Sequence, residues 1–112
     1  MKPVATLVFH IDEPGKWPLL LGNLRNALRS DAGVRLRVIA NGSAPIPLWA
    51  EGLWRREATA LVAQGVEFFF CQNSLTAYEL DAAGRPEGSQ VAPVGVLALG
   101  EAQAQGFAYI KP

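Results

Sequence analysis

Cysteine and histidine each occur once in 112 residues, as Cys71 and His10. A lone cysteine cannot close an intramolecular disulfide, which removes the disulfide-framed secreted folds and points to a reducing, cytoplasmic setting. One His and one Cys also fall short of a structural or catalytic metal set, which gathers three or four ligands. Charge is scarce and balanced, with ten Lys or Arg against ten Asp or Glu. Phosphate backbones are bound by a concentrated basic face, so nucleic acid is not an expected partner. Arg25, Arg29, Arg35 and Arg37 lie close in sequence, and they read as solvated helix and strand-end positions. No apolar run approaches the roughly twenty residues of a membrane span, so no membrane association is expected. The apolar stretch in MKPVATLVFHIDEPG ends in His-Ile-Asp-Glu-Pro and not in a small-residue cleavage site. It reads as a first strand.

What is present is apolar: half of the residues are hydrophobic, enough for one packed domain spanning residues 1–112. Val4–Ile11 is an almost continuous β-branched and apolar run, as expected of a strand covered on both faces. After Asp12-Glu13-Pro14-Gly15, the residues Trp17, Leu20, Leu21, Leu24 and Leu28 recur at helical spacing. Asp31-Ala32-Gly33 closes that helix. In Val34–Ala40 the residues Val34, Leu36 and Val38 alternate with Arg35 and Arg37, which predicts a strand nearer the sheet edge. Asn41-Gly42 marks a turn, and a Pro-rich connection leads to a second helix over Leu53–Gln64, with Trp54, Ala58, Leu61 and Val62 facing inward.

Val66–Phe70 is a third strand, followed by a short helix capped by Asn73 or Ser74. A brief fourth strand at Val91-Ala92, a helix over Val94–Gln105 and a fifth strand over Phe107–Ile110 complete the alternation. Strands alternating with helices predict an α/β sandwich around a mainly parallel five-stranded sheet. The loops after the strands then share the carboxyl edge, where such folds bind ligands. Those loops hold His10, Asp12 and Glu13; Asn41 and Gly42; Cys71, Gln72, Asn73 and Ser74; and Pro93, Val94 and Gly95.

Two readings of Cys71 stand side by side. It is a small hydrophobe finishing a buried strand, or a thiol placed before a helix whose amides and dipole stabilise a thiolate. Neighbouring first and third strands would bring His10 near it, and a Cys–His pair helps to activate a thiolate. Only Asp12 offers an orienting carboxylate, so a papain-like hydrolase is not expected. Phosphoacceptor receiver domains place acidic residues after the first strand, an aspartate after the third and a lysine after the fifth. Asp12-Glu13 and Lys111 match loosely, but Cys71 stands where that aspartate belongs. HIDEPGKW is no Ser/Thr/Gly-rich phosphate loop, so FMN is not expected, and no cofactor is implied. Ile46, Leu48, Trp49, Val94, Val96, Leu97 and Leu99 give more apolar surface than a small monomer needs, which predicts a homo-oligomer.

The segments FHIDEPGKWPLLLGNLRNAL, VRLRVIANG, GVEFFFCQNSL and GFAYIKP, in that order and spacing, resemble the DsrE/DsrF-like family over nearly the whole chain. The resemblance implies a flavodoxin-like three-layer α/β/α fold and assembly as a trimer or hexamer. Some members carry sulfur as a cysteine persulfide in relays with partner proteins, and the corresponding residue is Cys71, within CQNSL. One expected function is therefore a cytosolic sulfur carrier or sulfurtransferase-like protein. Cys71 would be its nucleophile, with Asn73 and Ser74 amides stabilising the anion and His10 moving protons. Asn41 and Gly95 would shape the pocket, and a donor or acceptor protein would be the partner. The alternative is a non-catalytic oligomeric module that binds a small molecule at the carboxyl edge of the sheet, with Cys71 structural and His10 and Asn41 recognising the ligand.

Overall fold

The computed structural model describes residues 5–30 and 33–112. Five strands alternate with four helices: β1 Ala5–Ile11, α1 Trp17–Arg29, β2 Val34–Ala40, α2 Leu53–Ala63, β3 Glu67–Cys71, α3 Gln72–Ala77, β4 Gln90–Ala92, α4 Gly95–Ala104 and β5 Ala108–Ile110. Val4, expected to open the first strand, and Asp31-Ala32, expected to close the first helix, lie outside the described residues. All strand pairs are parallel, in the order β4-β3-β2-β1-β5. The chain forms a flavodoxin-like three-layer α/β/α sandwich.

The order of the strands decides which face each helix covers. From β1 to β4 every crossover steps in one direction, and right-handed connections put α1, α2 and α3 on the same face. The crossover from β4 to β5 steps back over three strands, so α4 lands alone on the opposite face. Two cores result. The larger holds Trp17, Leu20, Leu21 and Leu24 of α1 with Leu36, Val38, Phe68 and Phe70 of the sheet. The smaller holds Val8, Ile39, Leu99, Ala102 and Phe107. Because β1 feeds both cores, its near-continuous apolar run is explained.

The strand β2 is not near an edge. It sits between β1 and β3, at the centre of the sheet. Its alternation reports instead how differently the two faces are covered. Leu36 and Val38 point into the large core, while Arg35 and Arg37 point to the face that α4 covers only in part. Neither arginine is an isolated solvated position. Both reach Glu67 on β3, each at 3.2 Å, and the Arg37 guanidinium lies 4.4 Å from the centre of the Phe107 ring. Only 13% of the Arg37 side chain is exposed.

The connection between β2 and α2 folds back into its own chain. Leu48 is fully buried, and Trp49 meets Phe70 edge to face at 5.0 Å while its indole N–H donates to the Asp81 carbonyl at 2.7 Å. Of the apolar residues expected at the surface, Ile46, Val96 and Leu97 are exposed, and Leu19 and Leu53 join them.

Trp17 ties α1 to the turn after β2. Its buried indole N–H donates to the Ala44 carbonyl at 2.7 Å, and its ring stacks on Phe68 with a 15° interplanar angle. Removing that donor leaves a buried carbonyl unpaired, which typically costs about 1–3 kcal/mol. Trp17→Phe should therefore lower stability in urea unfolding by at least that amount. A loss below about 0.5 kcal/mol would contradict the importance of this tie.

Candidate functional site at the carboxyl edge

Four neighbouring parallel strands bring their chemistry to one edge and one face. Side chains alternate along a strand, so Cys71 shares a face with Phe69, Asn41 with Ile39, and His10 with Val8. Tyr109 is the register partner of Val8 and faces the same way. Val8 and Ile39 belong to the core under α4, so this is the α4 face. The row across the sheet runs Tyr109, His10, Asn41, Cys71.

Polar contacts link its first three members. Tyr109 Oη lies 2.5 Å from His10 Nδ1, and His10 Nε2 lies 2.9 Å from Asn41 Oδ1. Asn41 then stands beside Cys71, because its predecessor Ala40 pairs with Phe70. The direct Cys–His contact expected from neighbouring first and third strands is absent. β2 intervenes, which sets the backbones of β1 and β3 about 10 Å apart, and His10 meets Asn41 in place of the thiol.

Cys71 is itself the residue that caps α3, two or three positions before the Asn73 or Ser74 expected in that role. Gly95, the first residue of α4, donates its backbone N–H to Cys71 Sγ at 3.3 Å. The sulfur thus meets the amide that opens α4 and stands at the start of α3. Burial pushes the Cys71 thiol up, but hydrogen bonds from the Ser74 hydroxyl and from the Ser74, Gly95 and Asn73 amides outweigh it. The thiol lies below its ordinary pKa. Cys71 nevertheless is only 5% exposed.

The surroundings explain each partner. Gly42 donates its N–H to the Ser74 hydroxyl at 2.8 Å, which leaves the hydroxyl proton for the sulfur. Gly42 has φ +59°, and a Cβ there would stand 3.1 Å from the Asp12 carbonyl oxygen, so glycine suits this turn. A Cβ on Gly95 would lie 2.9 Å from Cys71 Cβ and 3.2 Å from Sγ. Glycine is what lets α4 begin against the thiol.

Asp12 and Gln72 stand apart from the sulfur. Asp12 pairs with Lys111 at 2.8 Å, joining the ends of β1 and β5. The hydrogen bond from Lys111 holds the Asp12 carboxyl below its ordinary value, and the same bond raises Lys111. Gln72 turns its side chain to the Thr76 hydroxyl at 3.1 Å on exposed surface. The expected set therefore divides. Cys71, Ser74, Gly95 and the Asn73 amide surround the sulfur; Asn41 flanks it, His10 is one partner removed and Gly42 acts through Ser74. Tyr109 carried no signal in the sequence, since its place beside His10 comes from β5 pairing with β1.

Among the described residues no three of His, Cys, Asp and Glu converge as a metal set. A cavity of about 180 Å³ lies on the α4 face between Arg37, Phe69, Ala92, Pro93 and Glu101, and no member of the row lines it. It is smaller than the roughly 300–1,000 Å³ of a drug-sized ligand site, and admits only a small group.

No family model and no curated protein matches the chain. A solved structure does: a protein of unknown function, MTH1491 from Methanobacterium thermoautotrophicum, matches with 33% sequence identity and a TM-score of 0.88. The match covers 96% of this chain and 99% of that one.

Two substitutions probe the sulfur's environment. Ser74→Ala removes a donor that favours the thiolate, so the ultraviolet thiolate band should titrate at higher pH than in wild type, with Cys71→Ser as the blank. Gly95→Ala forces a methyl against Cys71 and should destabilise by about 1–3 kcal/mol, the usual cost of overpacking. An unchanged titration in the first and an unchanged unfolding midpoint in the second would contradict the contacts described.

Proposed function

We propose that this chain, which belongs to the same family as MTH1491, is a sulfur carrier or sulfurtransferase-like protein that holds sulfane sulfur on Cys71. The observation that carries the reading is the Gly95 backbone N–H donating to Cys71 Sγ across the end of the strand. The Gly95 N–H lies 3.3 Å away, and the Asn73 and Ser74 amides help lower the thiol. A thiolate held this way is a ready nucleophile at neutral pH. It attacks the outer sulfur of a persulfidated donor, R–S–SH; the donor's S–S bond breaks, a new S–S bond forms at Cys71, and R–S⁻ departs. The product is Cys71–S–SH. Release reverses the exchange: an acceptor thiolate takes the outer sulfur and Cys71 regains its thiolate. No electron leaves or enters the pair of partners.

Kinship with the DsrE/DsrF-like family belongs to the same proposal, on the strength of the GVEFFFCQNSL and VRLRVIANG segments. So does assembly as a homotrimer or homohexamer. Val96 and Leu97 are 65% and 62% exposed on α4, and the α4 layer leaves part of its sheet face open, an arrangement that association would cover. The reading has the protein work in the cytoplasm, where a single free thiol stays reduced. No helix among the described residues is long and apolar enough to cross a membrane.

The non-catalytic binding module with its pocket at the carboxyl edge has one observation in its favour, the near-complete burial of Cys71. Intact mass spectrometry after exposure to a sulfane-sulfur donor separates the two. The carrier should gain one sulfur, reversibly with dithiothreitol, and Cys71→Ser should gain none. The unloaded thiol should also react with iodoacetamide below the ordinary thiol pKa. A wild type that gains no sulfur and resists alkylation until denatured would make Cys71 structural and leave the binding module as the account.

A further inference from the structure

We propose that Tyr109, His10 and Asn41 form a positioning row whose end, the Asn41 side-chain NH₂, receives the outer sulfur of a persulfide on Cys71. This rests on the carrier reading above.

With a neutral imidazole, one assignment of protons satisfies the whole row. An amide oxygen only accepts, so His10 Nε2, 2.9 Å from Asn41 Oδ1, carries the imidazole proton. Nδ1 is then a bare lone pair and accepts from the Tyr109 hydroxyl at 2.5 Å. The bonds run in one direction: Tyr109 O–H to Nδ1, then Nε2–H to Oδ1. With its oxygen held by His10, Asn41 turns its NH₂ away from the imidazole, and among the described residues that NH₂ has no protein acceptor. His10 thus has both ring nitrogens committed and stands a full strand away from the thiol. It fits the orienting of Asn41 better than the moving of a proton.

The free NH₂ belongs to a residue that flanks the sulfur. The position a Cβ would take on Gly95 is 3.6 Å from Asn41 Cβ and 3.2 Å from Cys71 Sγ, so both residues border the space that glycine leaves. A persulfide places its outer sulfur about 2 Å beyond Sγ. In the anion the charge sits mainly on that outer atom, past the helix amides that already serve Sγ. A side-chain NH₂ beside it supplies a charge-assisted hydrogen bond. The row accounts for a buried thiol being joined to polar residues from three further strands, and it gives Tyr109 a positioning role.

The chain's single histidine makes the first test direct. Nitrogen NMR of the imidazole should find the Nε2–H tautomer in wild type and a mixture of tautomers in Tyr109→Phe; an Nδ1–H tautomer in wild type overturns the row. The second test loads Cys71 from cysteine persulfide and follows iodoacetamide alkylation of the loaded protein against pH by intact mass. The pH midpoint of that reaction should rise in Asn41→Ala, as expected for losing one hydrogen bond to an anion, and rise less in Tyr109→Phe, which only loosens the row behind the amide. The unloaded thiol of Tyr109→Phe should alkylate as wild type does. His10→Gln, whose amide NH₂ can replace Nε2–H, should keep the wild-type profile and make Tyr109→Phe silent in the same chain. If Asn41→Ala fails to fold, Tyr109→Phe still decides, because its ring stays and is 40% exposed. A wild type that loads sulfur with variants sharing its pH midpoint overturns the row and leaves the carrier standing. A wild type that loads none overturns both.

Discussion

The approach of the Gly95 backbone to Cys71 is the contact on which the carboxyl edge is organised. A helix can start against a side chain this closely only where it carries no Cβ, and the 2.9 Å that a Cβ would show to Cys71 leaves no room for compromise. That contact seats the start of α4 over the ends of β2 and β3. From there α4 runs back across the sheet, buries Leu99 and Ala102 against Val8 and Ile39, and delivers the chain to β5. The thiol therefore belongs to packing and to chemistry at once. Its burial raises the energy of the charged form, and the same close approach supplies an amide that lowers it.

The face beneath α4 shows how a parallel sheet tolerates charge. Buried parallel strands are usually apolar on both sides, yet here Glu67 accepts from both Arg35 and Arg37. Burial pushes the Glu67 carboxyl up, but the two guanidiniums outweigh it and hold it below its ordinary value. Arg37 lies between Phe107 and Phe69, 4.4 and 5.3 Å from the ring centres. Aromatic faces and one shared carboxylate thus stand in for the second helix that this layer lacks.

Those same residues mark where sequence reasoning stops. The apolar run of β1, the Trp17–Leu24 stripe of α1 and the bounds of β2 are local patterns, and they were legible because one residue's periodicity suffices to place its neighbours. The central position of β2 was not, since Arg35 and Arg37 carry the alternation of an edge strand while their partners lie on β3 and near β5. The place of Cys71 at a strand's end before a helix was legible in FFFCQNSL. Its separation from His10, and the arrival of Tyr109 beside that histidine, depend on strand order, which no short segment encodes. Asn73 and Ser74 look like better caps than cysteine, but the chain had already turned by Cys71, and both fall inside the first turn of α3.

The pairing of β5 with β1 bears on how the chain comes to be folded. β5 follows every other strand in chain order, yet its partner is the first of them. Nearly the full length must be closed into a loop before Leu7, Val8 and Phe9 gain that neighbour, a slow, non-local step. Until then β1, apolar on both faces, offers an unpaired edge that could recruit another chain in place of its own. Asp12 and Lys111, joining the two strand ends, act as a latch on that last seam. During synthesis the earliest strand therefore waits longest for its partner, and a nascent chain halted before β5 would be the species most prone to aggregate.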